Sequence, residues 1–351
     1  MKRNLRIYLS LLFLLYFGWS GLFAQHDKYA IRSVFFYNVE NLFDTINDPK
    51  TFDDPRTTQG KDKWNAKRYN TKLDRLARVI SSFGPIDSTK GPDLLGLCEV
   101  ENHAVLDDLV HHPQLLGFQY GIIHGDSPDE RGMDVALVYK RSAFIPIAFQ
   151  EHRLWLFNEE QEVEYTRNQL VVAGQMDEEE YHIIVNHWPS RRGGEARSKP
   201  YRIAAAKLTD RILDSIKSLS EDPRIIVMGD FNDNPIDASI KHVLKATGSK
   251  DSSTSETLFN PMEKLFRKGI GSLAYRDKWS LFDQIILSGN LTRKSKGRYY
   301  FWQAGVYKPD FLIDPRGRYK GYPFRTYAAG KYQGGYSDHF PVYVWLIKKL
   351  K

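Results

Sequence analysis

The sequence predicts one α/β domain. Two observations carry this: short apolar runs rich in β-branched and aromatic residues recur along the chain, and amphipathic helical patterns fall between several of them. A third is negative: no repeat of fixed period and no Pro/Gly/Ser-rich linker divides the 351 residues. A composition of 42% hydrophobic and 26% charged residues supports a packed core and excludes a disordered chain.

The first residues stand apart. Lys2, Arg3 and Arg6 precede an apolar run from Ile7 to Phe23 that ends at Ala24-Gln25. A basic start, a short hydrophobic stretch and a small residue before a polar one form the pattern of a secretory signal peptide. Residues 1–24 are therefore expected to be a leader and 25–351 the mature domain, secreted or periplasmic; an uncleaved membrane anchor is the alternative. Cleavage would remove three positive charges from a net +7, leaving a modest excess that suits anionic partners. No other segment approaches the ~18 apolar residues of a membrane span. Cys98 is the only cysteine, so no intrachain disulfide is available; its apolar flanks predict a buried core residue.

Strands are predicted at Val34 to Tyr37, Leu94 to Cys98, Val135 to Tyr139, Ile183 to Val185, Ile225 to Met228, Gln284 to Leu287 and Val342 to Leu346. Leu73, Leu76, Val79 and Ile80 share one face of a helix over Arg68 to Phe83. Ala205, Leu208, Ile212, Ile216 and Leu219 do the same over Pro200 to Leu219. Asp237 could N-cap a short helix that uses Ile240, Val243 and Leu244. Thr45 to Lys63, Gly248 to Thr257 and Tyr319 to Tyr336 read as surface loops.

Function is legible where the strands stop. Val34 to Tyr37 runs into Asn38, Leu94 to Cys98 into Glu99, Ile183 to Val185 into Asn186-His187, and Ile225 to Gly229 into Asp230-Phe231-Asn232-Asp233. Asp283 precedes one strand, and Ser337-Asp338-His339 precedes the last. A carboxylate after a strand is ordinarily a cap or a solvated loop residue. Six such residues at the rim of one sheet system instead suggest a shared cleft. Glu99, Asp230 and Asp338 are hard oxygen donors of the kind Mg²⁺ accepts, with Mn²⁺ or Ca²⁺ as alternatives. His339 can act as general base if Asp283 holds its tautomer. Asn38, Asn232 and His187 can bind phosphoryl oxygens. Zinc spacing and a Gly-x-Ser-x-Gly elbow are both missing. Phosphoester hydrolysis is the chemistry this set suits.

The ordered blocks YNVEN (Tyr37 to Asn41), LLGLCEVEN (Leu94 to Asn102), RGMDVALVY (Arg131 to Tyr139), VNHWPSR (Val185 to Arg191), MGDFND (Met228 to Asp233), FDQIIL (Phe282 to Leu287) and SDHFPV (Ser337 to Val342) resemble the endonuclease/exonuclease/phosphatase superfamily of DNase I-like enzymes. They look most like its secreted bacterial extracellular-nuclease branch. The resemblance implies a four-layer sandwich of two mixed β-sheets with helices outside. It implies Glu99 as principal metal ligand with Asn38 and Asp338 nearby, and Asp230 as the residue that orients or deprotonates water. His339 and Asp283 would be the catalytic pair and His187 a second catalytic histidine, with Asn232, Asn38, His187 and Arg191 on the phosphate. Glu101 lies two residues from Glu99, and on a strand both would face the same way, which leaves the ligand choice open between them.

The leading expectation is thus a secreted, divalent-metal-dependent nuclease or phosphodiesterase acting as a monomer on nucleic acid. The loops Arg191 to Gly194 and Arg316 to Tyr336 would contact a backbone and stack bases. The alternative is a phosphatase or sphingomyelinase/phospholipase C-like hydrolase of a small phosphoester or lipid headgroup. A non-catalytic binding module ranks third, because no catalytic acid or histidine is missing.

Overall fold

The computed structural model describes residues 28–84, 91–251 and 257–350; the leader and part of the Gly248 to Thr257 loop lie outside the described residues. Within them, no helix is long and apolar enough to cross a membrane. Two sheets build the body. The first takes β1 (Tyr29–Leu42), β2 (Leu94–Val100), β3 (Tyr120–His124) and β4 (Asp134–Lys140) from the N-terminal half. The second takes β5 (Ile145–His152), β6 (Gln169–Met176), β7 (Glu179–His187), β8 (Arg224–Asp230), β9 (Ala246–Thr247), β10 (Leu258–Phe259) and β11 (Asp283–Ser288). The chain then returns to the first sheet with β12 (Tyr300–Val306) and β13 (Val342–Lys349). Their orders are β12-β13-β1-β2-β4-β3 and β9-β10-β11-β8-β7-β6-β5.

Both sheets are mixed. β1 runs parallel to β2 and β7 parallel to β8, while β13 and β11 pair antiparallel with β1 and β8. Strand alternation divides the apolar residues into two faces. Val34 and Phe36 of β1 join Ile183, Val185, Ile226 and Met228 in the core between the sheets. Phe35 and Tyr37 turn outward onto α1 (Ala66–Ser82) and α2 (His103–Val110). On the far side, Ile184, Ile225 and Val227 pack on α3 (Glu195–Leu219). The result is the four-layer α/β sandwich. The sheets approach closely at Gly96, where an added Cβ would stand 2.7 Å from the Met228 sulfur. Cys98 is fully buried between the sheets, and burial pushes its thiol well up.

The helices follow their apolar spacing. Leu73, Leu76, Val79 and Ile80 all lie on the buried face of α1, and Asn65 caps it by accepting from the Arg68 N–H. α3 begins five residues earlier than expected, so Pro200 lies inside it. The proline is tolerated because the carbonyl it strands, that of exposed Ala196, faces water. Leu219 departs from the expectation: at 84% exposure it ends the helix beyond the sheet. The expected short helix after Asp237 is a single π-type turn, Ser239–Val243. The Asp237 carboxylate instead accepts from the Asn234 N–H and from Arg191.

The Tyr319 to Tyr336 segment lies against α1 through cation–π contacts. Arg68 stands over Tyr332 at 4.4 Å and Arg75 over Tyr336 at 4.9 Å. Beneath it the buried Lys72 ammonium donates to the Thr326 hydroxyl and the Tyr336 carbonyl at 2.7 and 2.6 Å. The Glu40 carboxylate accepts from the Thr326 and Tyr327 N–H groups at 2.6 and 3.3 Å. These bonds hold the segment to the body as one wall of the rim.

Candidate active site

Pairing register brings the rim residues together. Asn38 is opposite Cys98, one residue before Glu99, and Asp230 is opposite both His187 and Asp283. The Asn38 amide donates to Glu99 Oε1 and to Asp230 Oδ2, both at 3.1 Å, which ties the two sheets across the cleft. Its oxygen accepts the Glu40 N–H at 2.9 Å. That backbone donor turns the NH₂ toward Glu99.

Glu99 and Glu101 do not share a face. Glu99 adopts a left-handed φ of 63°, where the β2 register slips, and the bulge undoes strand alternation. Glu99 turns into the cleft. Glu101 accepts the Asp44 N–H at 2.7 Å away from it, and burial followed by the charges of Asp44, Asp53 and Asp48 pushes its carboxyl up to about 8.

His339 Nδ1 lies 2.6 Å from Asp283 Oδ2, which also accepts the Ser272 hydroxyl at 2.5 Å. Its Nε2 stands 3.9 Å from Asp230 and 4.0 Å from Asp338. Burial opposes charge on this imidazole, but Asp283, Asp230 and Asp338 outweigh it and raise His339 well above the usual histidine range. Ser337 anchors the segment by donating to the Asn38 carbonyl at 2.7 Å. Across the cleft, His187 Nε2 is 4.0 Å from Glu99 and 3.9 Å from Asp230. Burial, then Arg167, Arg131 and His339, hold His187 well below the ordinary value, so it is neutral. Asp230 is pushed up to about 7, first by burial and then by Asp283.

Asn232 has a left-handed φ of 49°, gives its N–H to Asp230 Oδ1 and its amide to the Trp188 carbonyl at 3.0 Å. Arg191, expected on the phosphate, is committed elsewhere. Its guanidinium donates to the Asn232 carbonyl, Glu195, Asp233 and Asp237 at 2.7–3.0 Å and stands 4.6 Å over Phe282. With these acceptors taken up, it braces the Asn232 turn.

Sequence reasoning missed Arg167 and Asp129. Arg167 is buried and donates to the His187 and Trp188 carbonyls at 3.2 and 2.8 Å and to Asp129 at 2.9 Å. A signal existed: Arg167 lies two residues before the start of β6, whose antiparallel pairing puts that start at the rim where β7 ends. Asp283 is recognisable by the same logic.

The donor set fits a divalent cation. Glu99, Asp230 and Asp338 bring hard carboxylate oxygens to one cleft without sulfur. Asp230, Asp283 and His339 also offer ligand-type atoms within 4.8 Å of one another. Because Asp283 is committed to His339 and Ser272, those three read as a catalytic cluster and Glu99 with Asp338 as the side that would hold an ion.

No curated protein sequence matches the chain. Solved structures do. An endonuclease/exonuclease/phosphatase family protein from Bacteroides thetaiotaomicron is 17% identical, with a TM-score of 0.55 over 92% of this chain and 97% of that one. A mannosyl-6-phosphatase from the same organism is 17% identical, with a TM-score of 0.52 over 90% and 99%. TDP2 from D. rerio, complexed with a single-strand DNA product, is 16% identical, with a TM-score of 0.52 over 90% and 99%. At these identities the likeness shows the fold. The profile of the endonuclease/exonuclease/phosphatase family matches residues 33–348. The chain is a phosphoesterase-type hydrolase that belongs to the endonuclease/exonuclease/phosphatase family.

Proposed function

We propose that the protein is a secreted, divalent-metal-dependent phosphodiesterase that cuts nucleic acid. The observation that carries this reading is the His339–Asp283 pair at 2.6 Å facing Asp230, with His187 3.9 Å from Asp230 and 4.0 Å from Glu99. Glu99 and Asp338 would hold the cation, whose chemistry when bound is to neutralise charge on the phosphoryl oxygens. Asp230, near 7, takes the proton of the attacking water. His339 was expected as that base. Its raised value instead makes it an imidazolium, held charged by Asp283, that donates to a phosphoryl oxygen as negative charge grows. Neutral His187 and the Asn232 amide donate from the opposite side.

The nucleic-acid reading is supported by the similarity to TDP2 complexed with single-strand DNA. The similarity to a mannosyl-6-phosphatase favours a second reading, a monoesterase of a small phosphorylated compound. One experiment separates them: the mature protein with Mg²⁺ or Mn²⁺ on plasmid DNA, RNA, a nitrophenyl diester and a sugar monophosphate in parallel. Turnover of the sugar phosphate alone would overturn the nuclease reading, and turnover of none would overturn both.

A further inference from the structure

A phosphate in this cleft faces Glu99, Asp230 and Asp338, so a guanidinium close by would add to what the metal and the His339 imidazolium offset. Three basic residues nearby are spent. Arg191 gives four of its five N–H groups to acceptors on its own fold. Arg167 is buried, with Nε, Nη1 and Nη2 each bonded to a carbonyl or to Asp129. Lys72 is buried with its ammonium on Thr326 and Tyr336.

Arg131 is not spent. It lines two cavities at once: one of about 280 Å³ that includes Glu99, and a groove of about 650 Å³ that runs from Pro189 and Ser190, just beyond His187. Arg131 therefore borders both the cavity that holds the metal-side carboxylate and the groove that starts beyond the second histidine. Among the described residues its ion contact is a single one, Nε to Asp129 at 3.4 Å, and the side chain is 43% exposed. Nearness to His187 is also evident in its contribution to keeping that imidazole neutral.

The backbone beneath Arg131 is fixed. Its N–H donates to Asp129 Oδ1 at 3.1 Å, and Asp129 is clamped by Arg167, which holds the His187 carbonyl. The next residue, Gly132, has φ +65°, and Thr51 lies 3.1–3.3 Å from where a Cβ would be. A side chain there would strain both backbone and contact, so the loop is locked against the Thr45 to Lys63 segment. A guanidinium on a rigid base suits two-pronged recognition of phosphate oxygens.

We propose that Arg131 is the cation that grips the non-bridging oxygens of the substrate phosphate, in the role expected of Arg191. This rests on the phosphoesterase reading of the same cleft. Arg56 also lines the smaller cavity, but it is paired with Asp62 at 3.4 Å and stands over Tyr327, which makes it the comparison.

The test is calorimetric titration of inorganic phosphate into the full mature protein, with and without Mg²⁺, for the parent, Arg131→Ala, Arg131→Lys and Arg56→Ala. Arg131→Ala is expected to weaken phosphate binding about 10-fold or more, as for a lost charge-assisted pair, while Mg²⁺ affinity and melting temperature hold. Arg131→Lys is expected to recover part of the loss, and Arg56→Ala to bind as the parent. Unchanged binding in Arg131→Ala, or a loss confined to Arg56→Ala, overturns the proposal. Parallel turnover of a nitrophenyl diester keeps the two claims apart. If the parent binds phosphate through Arg131 but hydrolyses no ester, the functional reading fails alone. If the parent hydrolyses the diester and Arg131→Ala matches it in kcat/KM and phosphate affinity, the Arg131 assignment fails alone.

Discussion

Two glutamates two residues apart meet opposite fates because one of them leaves the strand. Glu99, at a left-handed φ, faces the cleft, while Glu101 faces the Asp44 N–H. Glu99→Gln is therefore expected to raise the Mg²⁺ requirement far more than Glu101→Gln; equal shifts in a metal titration would remove the distinction. Glu101 also carries a pH signature. Its ordinary value of 4.5 rises to about 8 in the fold, so the folded state holds the proton longer than the unfolded chain. The stability this gives is complete below 4.5 and is lost between 4.5 and 8. Glu101→Gln is expected to melt a few degrees higher than the parent at pH 8 and no higher at pH 4. A constant difference across that range would show that burial of charge is not the cause. At the catalytic pair, His339→Ala is expected to lower turnover at least ~10²-fold, the scale for a lost transition-state donor, with Asp283→Asn also low. The double variant is expected to be scarcely worse than His339→Ala, because residues acting as a unit are non-additive. Losses that multiply in single-turnover kinetics would mean that Asp283 does not work through His339.

At the scale of elements, the rim positions of β1, β2, β7 and β8 were readable because the apolar runs stop abruptly at Asn38, Glu99, Asn186 and Asp230, although β1 itself continues to Leu42. Helix faces were readable for the same reason: Leu73, Leu76, Val79 and Ile80 repeat at the helical period and are buried together. What escaped was whatever lacks a period. The bulge at Glu99 is a one-residue change of φ that apolar spacing does not encode. The difference between Arg191 and Arg131 is one of acceptors supplied by distant segments: Asp233 and Asp237 lie more than 40 residues from Arg191 in the chain. Arg167 belongs to this class too, joining the start of β6, the end of β7 and the loop before β4 through one guanidinium. Its replacement by Ala would leave Asp129 Oδ2 and the His187 and Trp188 carbonyls without the donor they share. Breaking such a buried pair costs about 3–5 kcal/mol. Denaturant unfolding of Arg167→Ala is the check, and a loss below about 1 kcal/mol would mean that the junction tolerates water.

For the molecule as a whole, the expected leader falls outside the described residues, and its removal is a separate proposal. Intact mass analysis of exported protein is expected to give an N-terminus near Gln25; retention of Met1 would contradict it. EDTA is expected to abolish hydrolysis and Mg²⁺ or Mn²⁺ to restore it, since the cleft supplies carboxylates and no thiol nucleophile. Undiminished turnover in metal-free buffer would refute the metal requirement.

The position of β13 adds a consequence in time. This strand lies inside the first sheet, between β12 and β1, and pairs with β1 over eight residues from Tyr29↔Lys349 to Phe36↔Val342. The Ser337-Asp338-His339 segment leads directly into it. A ribosome therefore delivers β1, β2, β7 and β8, with Asn38, Glu99, His187 and Asp230, well before the imidazole that completes the cleft. Closure of so long a loop is slow compared with local helix formation. Until β13 slots beside β1, the chain therefore has four of its rim residues in place without the His339–Asp283 pair that completes the cleft.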